Sequence, residues 1–235
     1  MSAHLAISVN RSALPPHAIN SKAWGKPAAA IAPIWDTDVS VTGAVTHFAQ
    51  DQEIYGEGDA AHVYYKVASG VVRNCKFIDD GRRQIEAFYV AGDLFGFEAG
   101  TKYQFSTEAV CDCTLVAYRR RSADVKMQSD DRLTSQIYAS VMRNLSRAQA
   151  HILLLGRRTA LEKVAAFLCD WADRASGGKF VSLEMTRQDI GDYLGLTIET
   201  VSRMMSQLER QGLIELSSAR QIKVNNPAAL RELNS

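Results

Sequence analysis

The residues best placed for chemistry lie near the end of the chain, at the start of a predicted helix. Glu199 and Arg203 are four positions apart and share a helix face, with Thr200 and Ser202 beside them. An arginine can donate two hydrogen bonds to O6 and N7 of guanine, and a glutamate can accept one from N4 of cytosine. Two interpretations stay open: a pair that reads G·C base pairs, or a solvated ion pair contributing roughly 0.2–0.5 kcal/mol to the helix.

Two short helices joined by a tight turn must position these residues. Thr186 and Asp189 form the acidic variant of a capping box that starts the first helix. Gly195 can end that helix in the left-handed conformation, and Thr197 can cap the second helix. The sequence therefore predicts a helix-turn-helix over 186–212, in which the second helix enters the major groove of DNA.

Further elements extend this region into a domain over 157–235. The runs 213–216 and 221–224 flank a polar turn and resemble the wing of a winged helix. An amphipathic helix over 159–174 precedes the helix-turn-helix. A last helix follows the wing and begins at Asn226-Pro227.

The middle of the chain shows a different pattern. From Val45 to Tyr118, short apolar or alternating runs recur at a spacing of about 8–12 residues, with glycines between many of them. This spacing predicts a sandwich or barrel over 41–122. The dipeptide Asp80-Gly81 predicts a hairpin. The tip of that hairpin is expected to be exposed and comprises Asp79, Asp80, Arg82 and Arg83.

A helical period takes over in the next segment, 123–156. Its apolar positions are spaced by threes and fours, close to the heptad spacing of a helix–helix seam: Ile137, Val141, Leu145 (or Asn144), Ala148, Ile152 and Leu155. An ordinary amphipathic helix packed on the barrel would show a similar pattern. Because the small Ala148 allows close approach, we predict that a second copy of this helix is the partner.

Composition sets limits on the class of protein. The chain has 235 residues, of which 46% are hydrophobic and 23% charged, and its net charge is +1. These values are typical of a soluble globular protein with two domains, so any basic surface must be local. No apolar run reaches the roughly 18 residues of a membrane span, and no signal peptide is recognisable, so we expect a cytoplasmic protein. The proline-bearing stretch 1–40 is expected to be a tail.

Cysteines and histidines do not predict a metal site or an enzyme. Cys111 and Cys113 form a C-x-C pair far from Cys75 and Cys169, so buried thiols are the favoured interpretation. The histidines do not cluster, and no P-loop, zinc-protease motif or nucleophile–base arrangement is present. We therefore expect no catalysis, no metal and no cofactor. Cys169 is a candidate redox switch, with a packed thiol as the alternative.

The order of barrel, long helix and winged helix resembles the CRP/FNR family of bacterial transcription regulators over about residues 45–233. The stretches that carry the resemblance are 54–59 (IYGEGD), 63–72 (VYYKVASGVV), 92–96 (GDLFG) and 186–203 (TRQDIGDYLGLTIETVSR). It implies an α+β protein with an N-terminal jelly-roll barrel of the cyclic-nucleotide-binding type, a long dimerisation helix and a C-terminal winged helix-turn-helix domain.

The resemblance also implies a mode of DNA recognition. Glu199, Ser202 and Arg203 are similar to the recognition helix of FNR-type members, which implies a homodimer on a TTGAT-N4-ATCAA palindrome in double-stranded DNA. Glu199 and Arg203 would read G·C pairs, and Ser202 would contact a thymine or a phosphate. The remaining predicted DNA contacts are Thr186, Arg187, Thr197 and Thr200. Contact with RNA polymerase is also implied, with the hairpin tip at 79–83 as the candidate surface.

The sensor half departs from its relatives. The region 1–40 has no cysteines to hold the iron–sulfur cluster of FNR. No arginine stands within 96–106, the segment where cAMP-binding members hold the phosphate, and Gln104 falls near the position where one would be expected. The chain is therefore similar to the FixK branch. That branch implies an effector-independent activator of microaerobic, respiratory or nitrogen-fixation genes. A live sensor of a cyclic nucleotide or haem, and a redox switch at Cys169, are the alternatives.

Overall fold

The computed structural model describes residues 43–120, 131–157, 159–174 and 180–233. These residues belong to one compact unit of the chain. The predicted tail at 1–40 lies outside them. None of the described helices combines the length and the apolar character needed to cross a bilayer.

Antiparallel strands form the N-terminal half of the described chain, in two four-stranded sheets. The strands are β1 (Ala44–Phe48), β2 (Glu53–Tyr55), β3 (Val63–Ser69), β4 (Val71–Phe77), β5 (Arg83–Val90), β6 (Leu94–Phe95), β7 (Ser106–Ala109) and β8 (Cys113–Arg119). The sheet orders are β1-β8-β3-β6 and β2-β7-β4-β5. Burial alternates along β8, where Cys113, Leu115 and Ala117 face inward, because successive side chains point to opposite faces of a sheet. The predicted jelly-roll barrel is confirmed.

The interior between these sheets is filled with aromatic rings. Tyr55 stacks on Tyr103 with ring centroids 3.6 Å apart. Phe95, which is 1% exposed, contacts Tyr65 and Tyr89 at centroid distances of 5.4 Å and 5.1 Å. Such rings bury a large apolar area, so this cluster is a packed core.

Helix α1 (Asp131–Arg157) lies along the barrel. Ile137 packs with Tyr64 under the barrel, where it is 7% exposed. Asn144 Nδ2 donates to the carbonyl of Leu94 at 2.9 Å, and Arg147 Nη1 pairs with Asp93 Oδ1 at 2.9 Å. One face of the helix is therefore anchored to the barrel of its own protomer.

The C-terminal half packs helices around a small three-stranded sheet. Its elements are α2 (Ala160–Arg174), β9 (Phe180–Ser182), α3 (Arg187–Leu194), α4 (Ile198–Arg210), β10 (Ile214–Leu216), β11 (Gln221–Val224) and α5 (Pro227–Glu232). The strand order in the sheet is β10-β11-β9. Leu168, Ile190, Met205, Leu208 and Ile222 are almost fully buried in its core. The winged helix-turn-helix is confirmed, and β9 adds a third strand to its sheet.

Candidate nucleic-acid interface

A reciprocal cap starts the first helix of the helix-turn-helix. Thr186 Oγ1 accepts from the backbone N–H of Asp189 at 3.1 Å, and Asp189 Oδ2 accepts from the backbone N–H of Thr186 at 2.9 Å. The Thr186 hydroxyl also donates to Asp189 Oδ2 at 2.8 Å. This hydroxyl, a predicted DNA contact, is thus engaged in the cap, which satisfies backbone donors that the helix itself cannot satisfy.

Two glycines allow the tight turn between α3 and α4. Gly195 has φ 64° and ψ 40°, and its N–H donates to the carbonyl of Gly191. A Cβ atom on Gly191 would lie 2.7 Å from the backbone oxygen of Leu196, closer than such atoms can approach. The turn therefore requires a residue in the left-handed conformation directly after α3, and a residue without a side chain inside α3.

Hydroxyl groups at the start of α4 are bonded within the helix. Thr197 Oγ1 accepts from the backbone N–H of Thr200 at 3.2 Å and lies 3.1 Å from Thr200 Oγ1. Ser202 Oγ donates to the carbonyl of Ile198 at 2.9 Å. In the free protein these side chains serve the cap and the helix, and their oxygen lone pairs remain able to accept hydrogen bonds.

Glu199 and Arg203 are both exposed on the first turns of α4. Neither forms an ion pair within 4 Å in the part of the chain that the structure describes. The pKa of Glu199 is lowered by its own backbone N–H, with smaller effects from the Thr197 side chain and the charge of Arg203. The ion-pair interpretation is thus not realised, and both groups stay available to a ligand.

Arg187, another predicted DNA contact, is half-buried at the start of α3. Burial lowers its pKa, and its buried Nη1 has no acceptor among the described residues. A buried guanidinium N–H without a partner costs free energy, and a DNA contact by Arg187 stays a prediction.

The predicted dimerisation seam is wrong at Ile137, because that side chain packs against the barrel of its own protomer and not on the exposed side of α1. Ala148 and Leu155 are half-buried, whereas Val141, Leu145 and Ile152 are exposed. We call the following residues the exposed apolar face of α1: Tyr138, Val141, Met142, Leu145, Ile152 and Leu153. Val141, Leu145 and Ile152 belong both to this face and to the predicted seam.

The predicted hairpin tip between β4 and β5 is exposed at Asp79, Asp80 and Arg82. Arg82 pairs with Asp80 at 2.7 Å. The expectation of exposure is wrong for Arg83, whose side chain is 18% exposed and pairs with Asp192 Oδ2 at 2.8 Å. Arg83 faces the helix-turn-helix because it begins strand β5, which packs against α3.

Two barrel arginines and four acids join the barrel to α3, and we call them the interdomain ion-pair network. Its members are Arg73, Arg83, Asp51, Glu108, Asp189 and Asp192. Arg73 Nη2 lies 2.7 Å from Glu108 and 3.0 Å from Asp51. Asp189, which is 2% exposed, pairs with both arginines, at 3.4 Å in the case of Arg73 Nη1. Sequence reasoning missed this network, since its partners are far apart along the chain.

A small cleft of about 30 Å³ lies where the barrel, α1 and the C-terminal domain meet. Its lining includes Glu86, Asn144, Arg147, Arg174 and Tyr193. That volume suits about two water molecules, so this cleft is too small for a nucleotide or a haem.

The cysteines of the described chain are free thiols. Burial raises the pKa of Cys75 to about 12 and that of Cys113 to about 11. Cys169, the candidate redox switch, is 9% exposed, and burial raises its pKa as well. Among the residues described, no cluster of His, Cys, Asp and Glu could hold a metal ion. These thiols therefore resemble packed side chains more than reactive ones.

Comparison with known proteins agrees with this architecture. Residues 162–233 match the family described as a Crp-like helix-turn-helix domain, and residues 45–130 match the cyclic nucleotide-binding domain. The chain is 48% identical over 202 residues to the nitrogen fixation regulation protein FixK of Azorhizobium caulinodans, covering 84% of this chain and 82% of that protein. It is 43% identical to FixK of Rhizobium meliloti over 80% of this chain and 86% of that one. The solved structure of FixK2 from Bradyrhizobium japonicum superposes with a TM-score of 0.78 at 41% identity, covering 82% of this chain and 98% of that one.

Proposed function

Because the chain belongs to the FixK branch of the CRP/FNR family of transcription regulators, we propose that it activates transcription as a homodimer bound to a TTGAT-N4-ATCAA palindrome. The observation that carries this proposal is the free start of α4, where Glu199 and Arg203 are exposed and not paired with each other. An arginine and a glutamate on one face of a recognition helix can together specify G·C pairs.

The exposed apolar face of α1 supports the proposed homodimer. Leu145 is 48% exposed and Ile152 is 68% exposed, although both are large apolar residues. A contiguous exposed apolar stripe on a helix marks a protein interaction surface. A second copy of α1 would cover this face and set two recognition helices about one turn of DNA apart, as the two half-sites require.

We infer that the barrel needs no small-molecule effector. The space between its sheets holds the stacked rings of Tyr55 and Tyr103, so a ligand would have to displace core side chains. The loop where cAMP-binding relatives hold the phosphate is tied down by the protein itself. Arg120 Nη1 donates to the carbonyls of Ala61 at 3.0 Å and Gly100 at 2.9 Å, and Gln104 N donates to Glu98 Oε1 at 3.1 Å.

The proposal also covers the target genes and the surface that contacts RNA polymerase. The relatives named nitrogen fixation regulation proteins support a role in nitrogen-fixation gene control. The resemblance to the FixK branch adds microaerobic and respiratory genes to the proposed targets. Of the predicted polymerase-contact residues, Asp79, Asp80 and Arg82 remain candidates because they are exposed, whereas Arg83 is engaged with α3.

A DNA-binding titration in air tests the proposal. The purified protein, without additive, is titrated on a TTGAT-N4-ATCAA duplex and on a scrambled duplex at one stated salt concentration, because phosphate contacts make affinity salt-dependent. We expect at least roughly a thousandfold preference for the palindrome. Equal affinity for both duplexes would refute the proposed operator.

Two further arms test the alternatives. Specific binding only after addition of cAMP, or a haem absorption band in the purified protein, would support a live sensor. Specific binding that peroxide abolishes in the wild type, but not in Cys169→Ser, would support the redox switch. The buried position of Cys169 argues against the second outcome.

A further inference from the structure

Within the helix-turn-helix, helix α3 is held against the barrel by the ion pairs of the interdomain network. That network includes no residue of helix α4. We propose that the interdomain ion-pair network positions the helix-turn-helix on its own barrel, so that a dimer presents its two recognition helices at a fixed separation. This inference rests on the proposed function, since it concerns how one dimer engages two half-sites.

The ion pairs of the network differ from the apolar contacts around them because they are directional. The apolar side chains of the barrel and of the C-terminal domain share one core cluster, which includes Phe88, Phe167 and Trp171. Apolar burial is non-directional and would tolerate rotation or sliding between the two surfaces. A guanidinium group, with a planar set of donors, specifies the direction of each acceptor. The network therefore adds the orientation that apolar contact alone leaves open.

Arg83 is the member of the network that best fixes the angle of α3. It pairs with Asp192 at 2.8 Å and with Asp189, which lies three residues earlier and on the same helix face. Asp189 is also the capping carboxylate of α3 and pairs with Arg73 of strand β4. The start of α3 is thus held by two neighbouring strands, so rotation about either contact is resisted by the other.

The recognition surface stays free in this docked arrangement. Asp189 and Asp192 are 2% and 12% exposed in their side chains, whereas Glu199, Ser202 and Arg203 on α4 are exposed. Docking therefore does not hide the residues proposed to read bases. The network favours an orientation that is competent for DNA binding.

A fixed separation of the two recognition helices affects binding to a palindrome in particular, because a palindrome contains two half-sites. When two binding modules are held at the correct separation, the second contact is intramolecular and adds avidity of about 10²–10⁴. A helix-turn-helix domain released from the barrel would keep its own affinity for one half-site. It would lose part of the avidity, because the second domain would sample many orientations.

The test compares a full palindrome with a duplex in which one half-site is scrambled. Arg83→Gln and Asp192→Asn are each expected to weaken binding to the palindrome by roughly tenfold or more, and to leave half-site binding within about twofold. The double variant is expected to bind no more weakly than Arg83→Gln alone, because Arg83→Gln already removes the ion pair with Asp192 that the second change would break. Lys76→Gln is the matched control. It removes one positive charge from the same hairpin, and its partner Glu57 is on the barrel.

Equal loss on both duplexes would overturn the inference, since it would mean that the substitutions damage the domain or its general attraction to DNA. Unchanged binding to the palindrome would overturn it as well. Amide hydrogen exchange of the free protein gives a second readout that needs no operator. We expect faster exchange in β5 and α3 for Arg83→Gln but not for Lys76→Gln. Should the wild type ignore the palindrome while exchange responds as expected, the proposed operator fails and the docking contact stands.

Discussion

The imidazole ring of His151 stacks on the ring of Tyr193, with centroids 3.9 Å apart and planes within 6° of parallel. His151 Nε2 also lies 2.7 Å from the carbonyl oxygen of Tyr193. His151 belongs to α1 and Tyr193 to α3, so this contact joins the long helix to the helix-turn-helix. The same junction therefore contains a titratable group that is 8% exposed.

This contact predicts that acid weakens the fold through His151. Burial lowers the pKa of His151 from its ordinary value of 6.5, with a smaller contribution from the charge of Lys163, while the carbonyls of Tyr193 and Glu86 act in the opposite direction. Between the folded and the unfolded pKa, the unfolded chain binds more protons than the folded one. Stability is therefore fully present above about pH 6.5 and declines as pH falls through the folded pKa.

Urea denaturation at pH 8 and at pH 5.5 measures this effect. We expect the free energy of unfolding to fall more in the wild type than in His151→Gln, because the variant lacks the titrating ring. Groups common to both proteins cancel in the comparison. Parallel losses in the two proteins would show that His151 does not contribute.

A second prediction concerns the turn of the helix-turn-helix. Gly191→Ala places a Cβ atom 2.7 Å from the backbone oxygen of Leu196, and the turn must shift to relieve this contact. We expect a destabilisation of about 1–3 kcal/mol, measured by chemical denaturation. Gly156→Ala is the control, since Gly156 lies in α1 and a Cβ there would meet nothing within 4 Å apart from its chain neighbours and the nearby backbone of its own helix. That change should stabilise the protein by roughly 0.5–1 kcal/mol. Equal stability of the two variants would contradict the prediction.

Local features of this fold could be predicted because their signals are local. The cap formed by Thr186 and Asp189, and the left-handed Gly195, follow from residues within one turn of each other. The wing follows from two short strands that pair across a polar turn, Ile214–Leu216 and Gln221–Val224. In each case the residue types specify backbone geometry with no information from elsewhere in the chain.

Other features depend on long-range packing. The apolar residues of α1 occupy two adjacent faces, and spacing does not tell which face packs on the barrel. For this reason the heptad spacing places Ile137 in the seam, although its side chain packs with Tyr64. The pairing of Arg83 with Asp192 joins residues that are 109 positions apart. Both residue types also suit a solvated surface, so nothing in the sequence indicated that they meet.

A third prediction tests the exposed apolar face of α1. Leu145→Asp combined with Ile152→Asp is expected to shift the protein from dimer to monomer at micromolar concentration, because a buried unpaired carboxylate disfavours association. Sedimentation velocity measures the change, and circular dichroism checks that the helix content is kept. Val45→Asp is the control, since Val45 is 63% exposed on strand β1 of the barrel. A doubly substituted protein that stays dimeric would mean that another surface forms the dimer.

Ile137→Ala should behave differently from the changes on the exposed face. The side chain is 7% exposed and packs within the protomer, so its truncation leaves a cavity next to Tyr64. We expect the free energy of unfolding to fall by about 2–5 kcal/mol. At low temperature, where the variant is folded, its dimer fraction should match that of the wild type. Loss of dimer without loss of stability would instead restore Ile137 to the seam.

The final prediction concerns base recognition by Arg203, which is exposed on α4 and not paired with Glu199. Arg203→Ala is expected to weaken binding to the palindrome by about 1–3 kcal/mol and to make the protein indifferent to one base pair of each half-site. The measurement is a titration of both proteins on duplexes carrying single base-pair substitutions. Arg210→Ala is the control, because Arg210 is exposed in the last turn of the same helix. It removes the same charge and should leave the sequence preference intact. Arg203→Ala could instead weaken binding equally on every duplex and reduce the slope of log affinity against log salt concentration by about one. That result would mean that Arg203 contacts a phosphate and that Glu199 and its neighbours recognise the bases.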